Sequence, residues 1–184
     1  MNFEEFGALV RARRTSMLVD KQRGVPVDVV EQLCDLAQWA PNHKRTWPWR
    51  FALLTGDARA RLGETIAAVL AANGEEQFKV DKARTKYMRT PATLIVGSAQ
   101  GDSPMRTAEN RDAVAAGMQN LLLGATALGL ASYWGSCPKG ANDPVAELCG
   151  FDPGTFVVSL TYLGYATSQV EPPARPSVAL VHLN

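Results

Sequence analysis

The stretch Thr107–Leu130, TAENRDAVAAGMQNLLLGATALGL, decides the fold. Its first residues are charged, but from Ala113 onward it is apolar nearly all round, rich in Ala and Gly, and free of proline. That composition predicts a long helix over 107–130 that lets its neighbours approach closely and is buried on several sides. Gln119 and Asn120 interrupt the apolar surface, so the segment does not read as a membrane span. A chain of 184 residues is expected to form one compact domain, residues 1–184, burying roughly 70% of its unfolded surface. So small a domain has little of its own to wrap such a helix, and the pattern points to a subunit interface.

The flanking segments supply a sheet. Thr93–Ser98 (TLIVGS) is a continuous apolar run, as expected of a central strand covered on both faces. Trp49–Thr55 (WRFALLT) is short, aromatic and aliphatic, and closes on Gly56 and Asp57. Ser132–Ser136, Phe156–Gly164 (FVVSLTYLG) and Val178–Leu183 read as three further strands, which makes five. Four more helices precede these strands or lie between them. Phe3, Phe6 and Val10 recur at helical spacing over residues 3–14, and the segment ends in Arg11, Arg13 and Arg14, where cations suit a helix C-terminus. Asp28 with Glu31 forms a capping-box pattern ahead of Val30, Leu33, Leu36 and Ala37, and Pro41 stops that helix. A third runs from about 58 to 72 and closes at Asn73-Gly74; a charged fourth covers about 77–88, before Pro91.

Composition excludes several functions. Nineteen basic against 18 acidic side chains leave a formal charge of +1, so no global field favours nucleic acid or an anionic membrane. The start, MNFEEFGALV, lacks the basic-then-apolar layout of a secretion signal, so a cytoplasmic protein is expected. Cys34, Cys137 and Cys149 show no C-x-x-C spacing, and His43 and His182 are the only imidazoles, so neither a disulfide framework nor a metal site is expected. There is no G-x-G-x-x-G after a strand, no G-x-x-x-x-G-K-[ST], no G-x-S-x-G and no H-E-x-x-H.

Two segments stand out. Arg13-Arg14-Thr15 joins two fixed cations to a hydroxyl, a set suited to a phosphate monoester; alone, it reads first as the ordinary basic end of a helix. Ala40–Phe51, APNHKRTWPWRF, places a proline stop, a polar loop with one histidine, and a Trp-Pro-Trp entry into a strand within one short run. On its own His43 reads as a turn cap, and Trp47, Trp49 and Trp134 as core aromatics.

Taken together and in order, these segments resemble the FMN-dependent nitroreductase family in its short bacterial form. The resemblance rests on the R-R-[ST] segment, the A-P-x-H-K-x-x-x-P-W-x-F loop, the A-x-x-x-Q-N-L-x-L-x-A-x-A-L-G-L helix, the W-x-S turn at Trp134 and the L-G-Y segment ending at Tyr165. It implies an α+β fold: a nitroreductase-like three-layer sandwich with a mixed five-stranded sheet flanked by helices, in an intertwined homodimer. It also implies FMN as cofactor, with NADH or NADPH as electron donor. Arg13, Arg14 and Thr15 would hold the FMN phosphate and ribityl chain, and Trp134, Gly135 and Ser136 would lie against the isoalloxazine. His43 and Trp39 would reach the flavin from the second subunit. Arg175 resembles a late basic residue that supports the phosphate in relatives.

In the reaction so implied, the nucleotide delivers a hydride to flavin N5 and leaves, and an electron-poor nitroaromatic or quinone takes its place. The protein contributes position and electrostatics rather than an acid–base residue, and Cys137 is given no role. Trp47 stands where many relatives have Gln, and Trp39 and Gly135 where close relatives have Arg, which implies a more apolar substrate pocket. A family member with another redox reaction, such as dehalogenation or dehydrogenation, and a non-catalytic flavin-binding module remain as alternatives. Finally, the 13 residues Tyr165–Ser177 hold three prolines and favour extended backbone, so the last strand is expected to join the sheet of the partner.

Overall fold

The computed structural model describes residues 1–184. Six α-helices, α1 (Phe3–Ala12), α2 (Val27–Gln38), α3 (Asp57–Ala72), α4 (Gln77–Lys86), α5 (Pro104–Ala127) and α6 (Asn142–Leu148), surround four strands, β1 (Trp49–Leu54), β2 (Ala92–Ser98), β3 (Leu130–Gly135) and β4 (Phe156–Tyr165). The strands lie in the order β1-β2-β4-β3, and every ladder is antiparallel. Alternation along the strands sends side chains into two layers. Leu94 and Val96 of β2 and Leu163 of β4 face α2 and α5, together with Leu33, Val114 and Leu121. Ile95, Leu160 and Tyr162 face α3, α4 and α6, together with Leu62, Ile66 and Val145. The three-layer α+β sandwich is the expected one.

The expected mixed, five-stranded sheet is corrected to four antiparallel strands within one chain. The parallel component reduces to one isolated bridge, Thr15 to Ser132. Val178–Leu183 pairs with nothing in its own chain and stays exposed, because the proline-bearing segment before it carries the backbone away from the sheet instead of turning it back.

Helix ends differ too. The capping box expected at Asp28 does not form: α2 starts at Val27 after Pro26, which puts Asp28 inside the first turn. The box lies instead at α1, where the Asn2 side chain accepts from the Glu5 N–H and the Glu5 carboxylate accepts from the Asn2 N–H, each at 2.9 Å. In α5, Ser103 caps the start and Pro104 occupies the first turn, so the helix begins one turn before Thr107. A Cβ at Gly117 would run into the Ala37 carbonyl, and this is how α5 lies so close on α2. The outer side of α5, with Arg111, Asp112, Ala115 and Gln119, is exposed rather than wrapped by its own chain. No helix is long and apolar enough to cross a membrane.

Candidate functional site

The free edge of β3 gathers two of the expected segments. The backbone leaves α1 at Arg13 and runs beside β3: Thr15 bridges Ser132, and the Ser16 N–H donates to the Ser132 carbonyl at 3.0 Å. Farther on, Val19 bridges Ala166, and the Asp20 N–H donates to the Tyr165 carbonyl at 2.9 Å. Arg13, Arg14 and Thr15 are thereby fixed along the strand whose last residues are Trp134 and Gly135, with Ser136 next. Neither arginine has a carboxylate partner. Arg14 donates to the Arg13 carbonyl, while its Nε is buried without a hydrogen-bond partner, as is the Ser132 Oγ. Unpaired guanidinium groups beside orphaned polar atoms are what an anionic ligand satisfies.

At its exit end β3 opens on a depression of about 790 Å³, lined by Trp134, Ser136, Cys137, Arg111, Phe156 and Val158 among others. The Trp134 indole N–H donates to the Val158 carbonyl at 3.1 Å, which fixes the ring at the rim. Arg111 of α5 covers the Phe156 ring at 3.8 Å. The Gly135 Cβ position points away from this side, toward the Leu160 carbonyl 3.0 Å off and the Tyr162 ring. A side chain at 135 would press into the packed tyrosine layer, so glycine there removes no cation from the face that Trp134 occupies. Burial pushes the Cys137 thiol up to about 11, which leaves it a poor nucleophile near neutrality.

Trp39 and His43 are not brought to that edge. They belong to the connection into β1, the opposite edge of the sheet, three strand spacings or roughly 14 Å from β3. Trp39 caps α2 and is 79% exposed, its indole N–H donating to Asp35 at 3.3 Å. The loop beyond is built with care. Asn42 accepts the Trp47 N–H at 2.9 Å and donates to the Thr46 hydroxyl at 3.0 Å. That hydroxyl donates to the buried Asn110 at 2.6 Å, and Asn110 donates to the Ala99 carbonyl at 3.1 Å. His43 Nδ1 lies 2.9 Å from Glu109 and 3.1 Å from Arg106, both on α5. The hydrogen bond from His43, reinforced by Arg106, holds the Glu109 carboxyl below the usual carboxylate range. Lys44, Arg45 and Trp47 all take positive φ, 62°, 52° and 50°, at a cost of about 1–3 kcal/mol each. The α5 hydrogen bonds hold this strained loop in place, and such strain clusters at functional sites.

Of the tryptophans, only Trp49 is core; Trp47 is exposed and Trp134 sits at the rim. Arg175 lies in the exposed C-terminal segment. Ser132, Glu109 and Asn110 escaped the sequence reading. The polar residues Thr107, Glu109 and Asn110 at the start of an otherwise apolar helix were the available signal for two of them.

Residues 10–165 match the profile of the Nitroreductase family. A Bacillus subtilis protein named "Putative NAD(P)H nitroreductase YfhC" is 25% identical over 173 residues, 92% of this chain and 89% of that protein. Among solved structures, a nitroreductase-like family protein from Bacillus cereus superposes with a TM-score of 0.82 at 24% identity, covering 98% of both chains. A nitroreductase with bound FMN from Bacteroides fragilis does so at 0.76 and 19% identity, covering all of both chains. The match over most of the chain, together with the shared architecture, makes this protein a member of the nitroreductase family.

Proposed function

We propose that this chain is an FMN-dependent NAD(P)H oxidoreductase that reduces small electron-poor molecules such as nitroaromatics and quinones. The observation that carries the reading is the β3 edge, where Arg13, Arg14 and Thr15, free of carboxylate partners, are tied by the Thr15–Ser132 bridge to the strand that ends in Trp134–Ser136. When bound, FMN supplies the two-electron carrier between nucleotide and acceptor, in alternating half-reactions. Arg13 and Arg14 would neutralise its phosphate, with Thr15 donating to it or to the ribityl chain. Trp134 would form an apolar wall for the ring system, and the backbone of Gly135 and Ser136 would supply its polar contacts. Arg175 is a candidate third cation for the phosphate.

The working unit we propose is a cytoplasmic homodimer of one-domain subunits, with two flavin sites at the interface and with Trp39 and His43 reaching the partner's site. Support comes from surfaces one chain leaves open: α1 buries none of its residues although Phe3, Phe6 and Val10 share it, and Val178, Leu180, Val181 and Leu183 lie in water. The C-terminal strand would add to the partner's sheet and cover them.

Purified protein is expected to be yellow, and its flavin to bleach when NADH or NADPH is added without oxygen and to recolour with a nitroaromatic or quinone. A colourless protein that takes up no FMN, or a bound flavin that neither nucleotide bleaches, would overturn the reading.

A further inference from the structure

The sequence implies an apolar substrate pocket, yet the depression beside Trp134 and Ser136 carries three charged side chains, Arg111 and Asp112 of α5 and Lys139. None of the three forms an ion pair within the chain. Two cations against one carboxylate leave the depression positive. The guanidinium carbon of Arg111 lies 3.8 Å from the centre of the Phe156 ring. A guanidinium on a ring face spends none of its N–H donors there, so its edge stays free for paired hydrogen bonds to one carboxylate. Asp112 does not supply that carboxylate, because adjacent residues on a helix do not face each other. Lys139 stands at the tip of the turn Pro138–Ala141, closed by the Ala141 N–H donating to the Pro138 carbonyl at 3.0 Å and permitted by Gly140 at φ 81°. The Lys139 carbonyl accepts from the Asn73 side-chain amide at 3.3 Å, which fixes the backbone and leaves the ammonium unpaired.

At about 790 Å³ the depression has the size of a small-molecule pocket. Trp134, Phe156 and Val158 give it an apolar wall suited to an aromatic ring, and the two cations suit an anionic group on that ring. Wall and cations line one cavity, and Trp134 and Ser136, the residues proposed to face the flavin, line it too. We propose that Arg111 and Lys139 bind a carboxylate carried by the electron-accepting aromatic molecule, so that aromatic acids are the preferred acceptors. This inference rests on the flavin site proposed above and names the substrate class of that site. The carboxylate takes no part in the reduction: a nitro group on the same ring takes two electrons from reduced flavin and two protons, becomes a nitroso group and releases water.

The test compares para-nitrobenzoate with its methyl ester. The ester group withdraws electrons more strongly than the carboxylate, so intrinsic reactivity favours the ester and a preference for the acid reports binding. The holoenzyme is photoreduced without oxygen, which keeps the nucleotide out of the measurement, and flavin reoxidation is followed as each acceptor is varied. The apparent Kd for the acid is expected to lie about tenfold or more below that for the ester, the magnitude of a hydrogen-bonded charge pair. Arg111→Ala should lower this preference about tenfold, with Arg111→Lys restoring part of it, and Lys139→Ala, at an exposed turn, should lower it by a smaller factor. Equal or weaker affinity for the acid in the wild type, or a preference that survives both alanine substitutions, would overturn the proposal. So would conversion of a dimeric wild type into monomers by Arg111→Ala in size-exclusion chromatography, which would assign Arg111 to the subunit contact. Failure of the flavin reading looks different: the wild-type protein itself would be colourless, or neither acceptor would reoxidise its photoreduced flavin.

Discussion

The layer formed by α3, α4 and α6 and the two ends of the chain treat their apolar residues in opposite ways. In the layer, Leu62, Ile66, Tyr87 and Tyr162 are sealed, and Tyr162 stacks on Tyr87 at 5.8 Å and meets Tyr133 edge-on at 5.6 Å. At the ends, Phe3 is 87% exposed and Val178 92%. Each such side chain forgoes about 1.5–3 kcal/mol of burial. That layer completes itself, whereas the two ends of the chain leave their apolar side chains in water. The segment Arg13–Thr15 begins where α1 stops, so the candidate site adjoins one of these exposed ends.

Removing residues 177–184 tests that contrast most severely. On the dimer reading, four apolar side chains lose their cover at once, roughly 6–12 kcal/mol by transfer values. The truncated protein should run as a monomer in size-exclusion chromatography with light scattering and lose its flavin absorbance; a dimeric, yellow truncation breaks the comparison. Leu62→Ala, in the sealed layer, should cost about 3–5 kcal/mol. Its unfolding shift should be independent of protein concentration, whereas the stability change from Phe3→Ala should depend on it. Arg13→Ala is expected to weaken FMN binding by about 1.5–3 kcal/mol with little change in melting temperature, read by dialysis against graded FMN. The smallest effect concerns the strained loop. The Glu109 carboxyl titrates below its unfolded value, so its contribution is present above the ordinary carboxylate range and is lost as pH falls through the folded value. Tryptophan fluorescence should show the loop loosening in acid before global unfolding, and Glu109→Gln should remove that early step.

Much of the sheet is legible in the sequence, because its signals are local. TLIVGS and FVVSLTYLG read as strands on composition alone, and both form at nearly those positions. Helix α6 was not seen: seven residues with Pro144 in the first turn give no apolar period to recognise. The expected capping box does not form because Pro26, two residues before Asp28, takes the N-cap position. For the site, the residue types of R-R-T and W-G-S were readable, but their meeting was not. It depends on Thr15 bridging Ser132 from far along the chain, and no periodicity encodes that. The strain at Lys44, Arg45 and Trp47 was equally hidden, since these are not residues that favour positive φ. Val178–Leu183, expected to join the partner's sheet, pairs with nothing in its own chain; its apolar content says that it needs burial, not which surface provides it.

The central claim is that two copies complete each site, Arg13 from one and His43 from the other. Co-expression of Arg13→Ala and His43→Ala chains, with purification of the mixed dimer by two different tags, tests it directly. Each variant alone should hold little FMN, and the mixed dimer should hold one FMN per dimer, because one of its two sites then has both residues intact. A mixed dimer as empty as its parents would contradict the account and place both residues in the same chain's site.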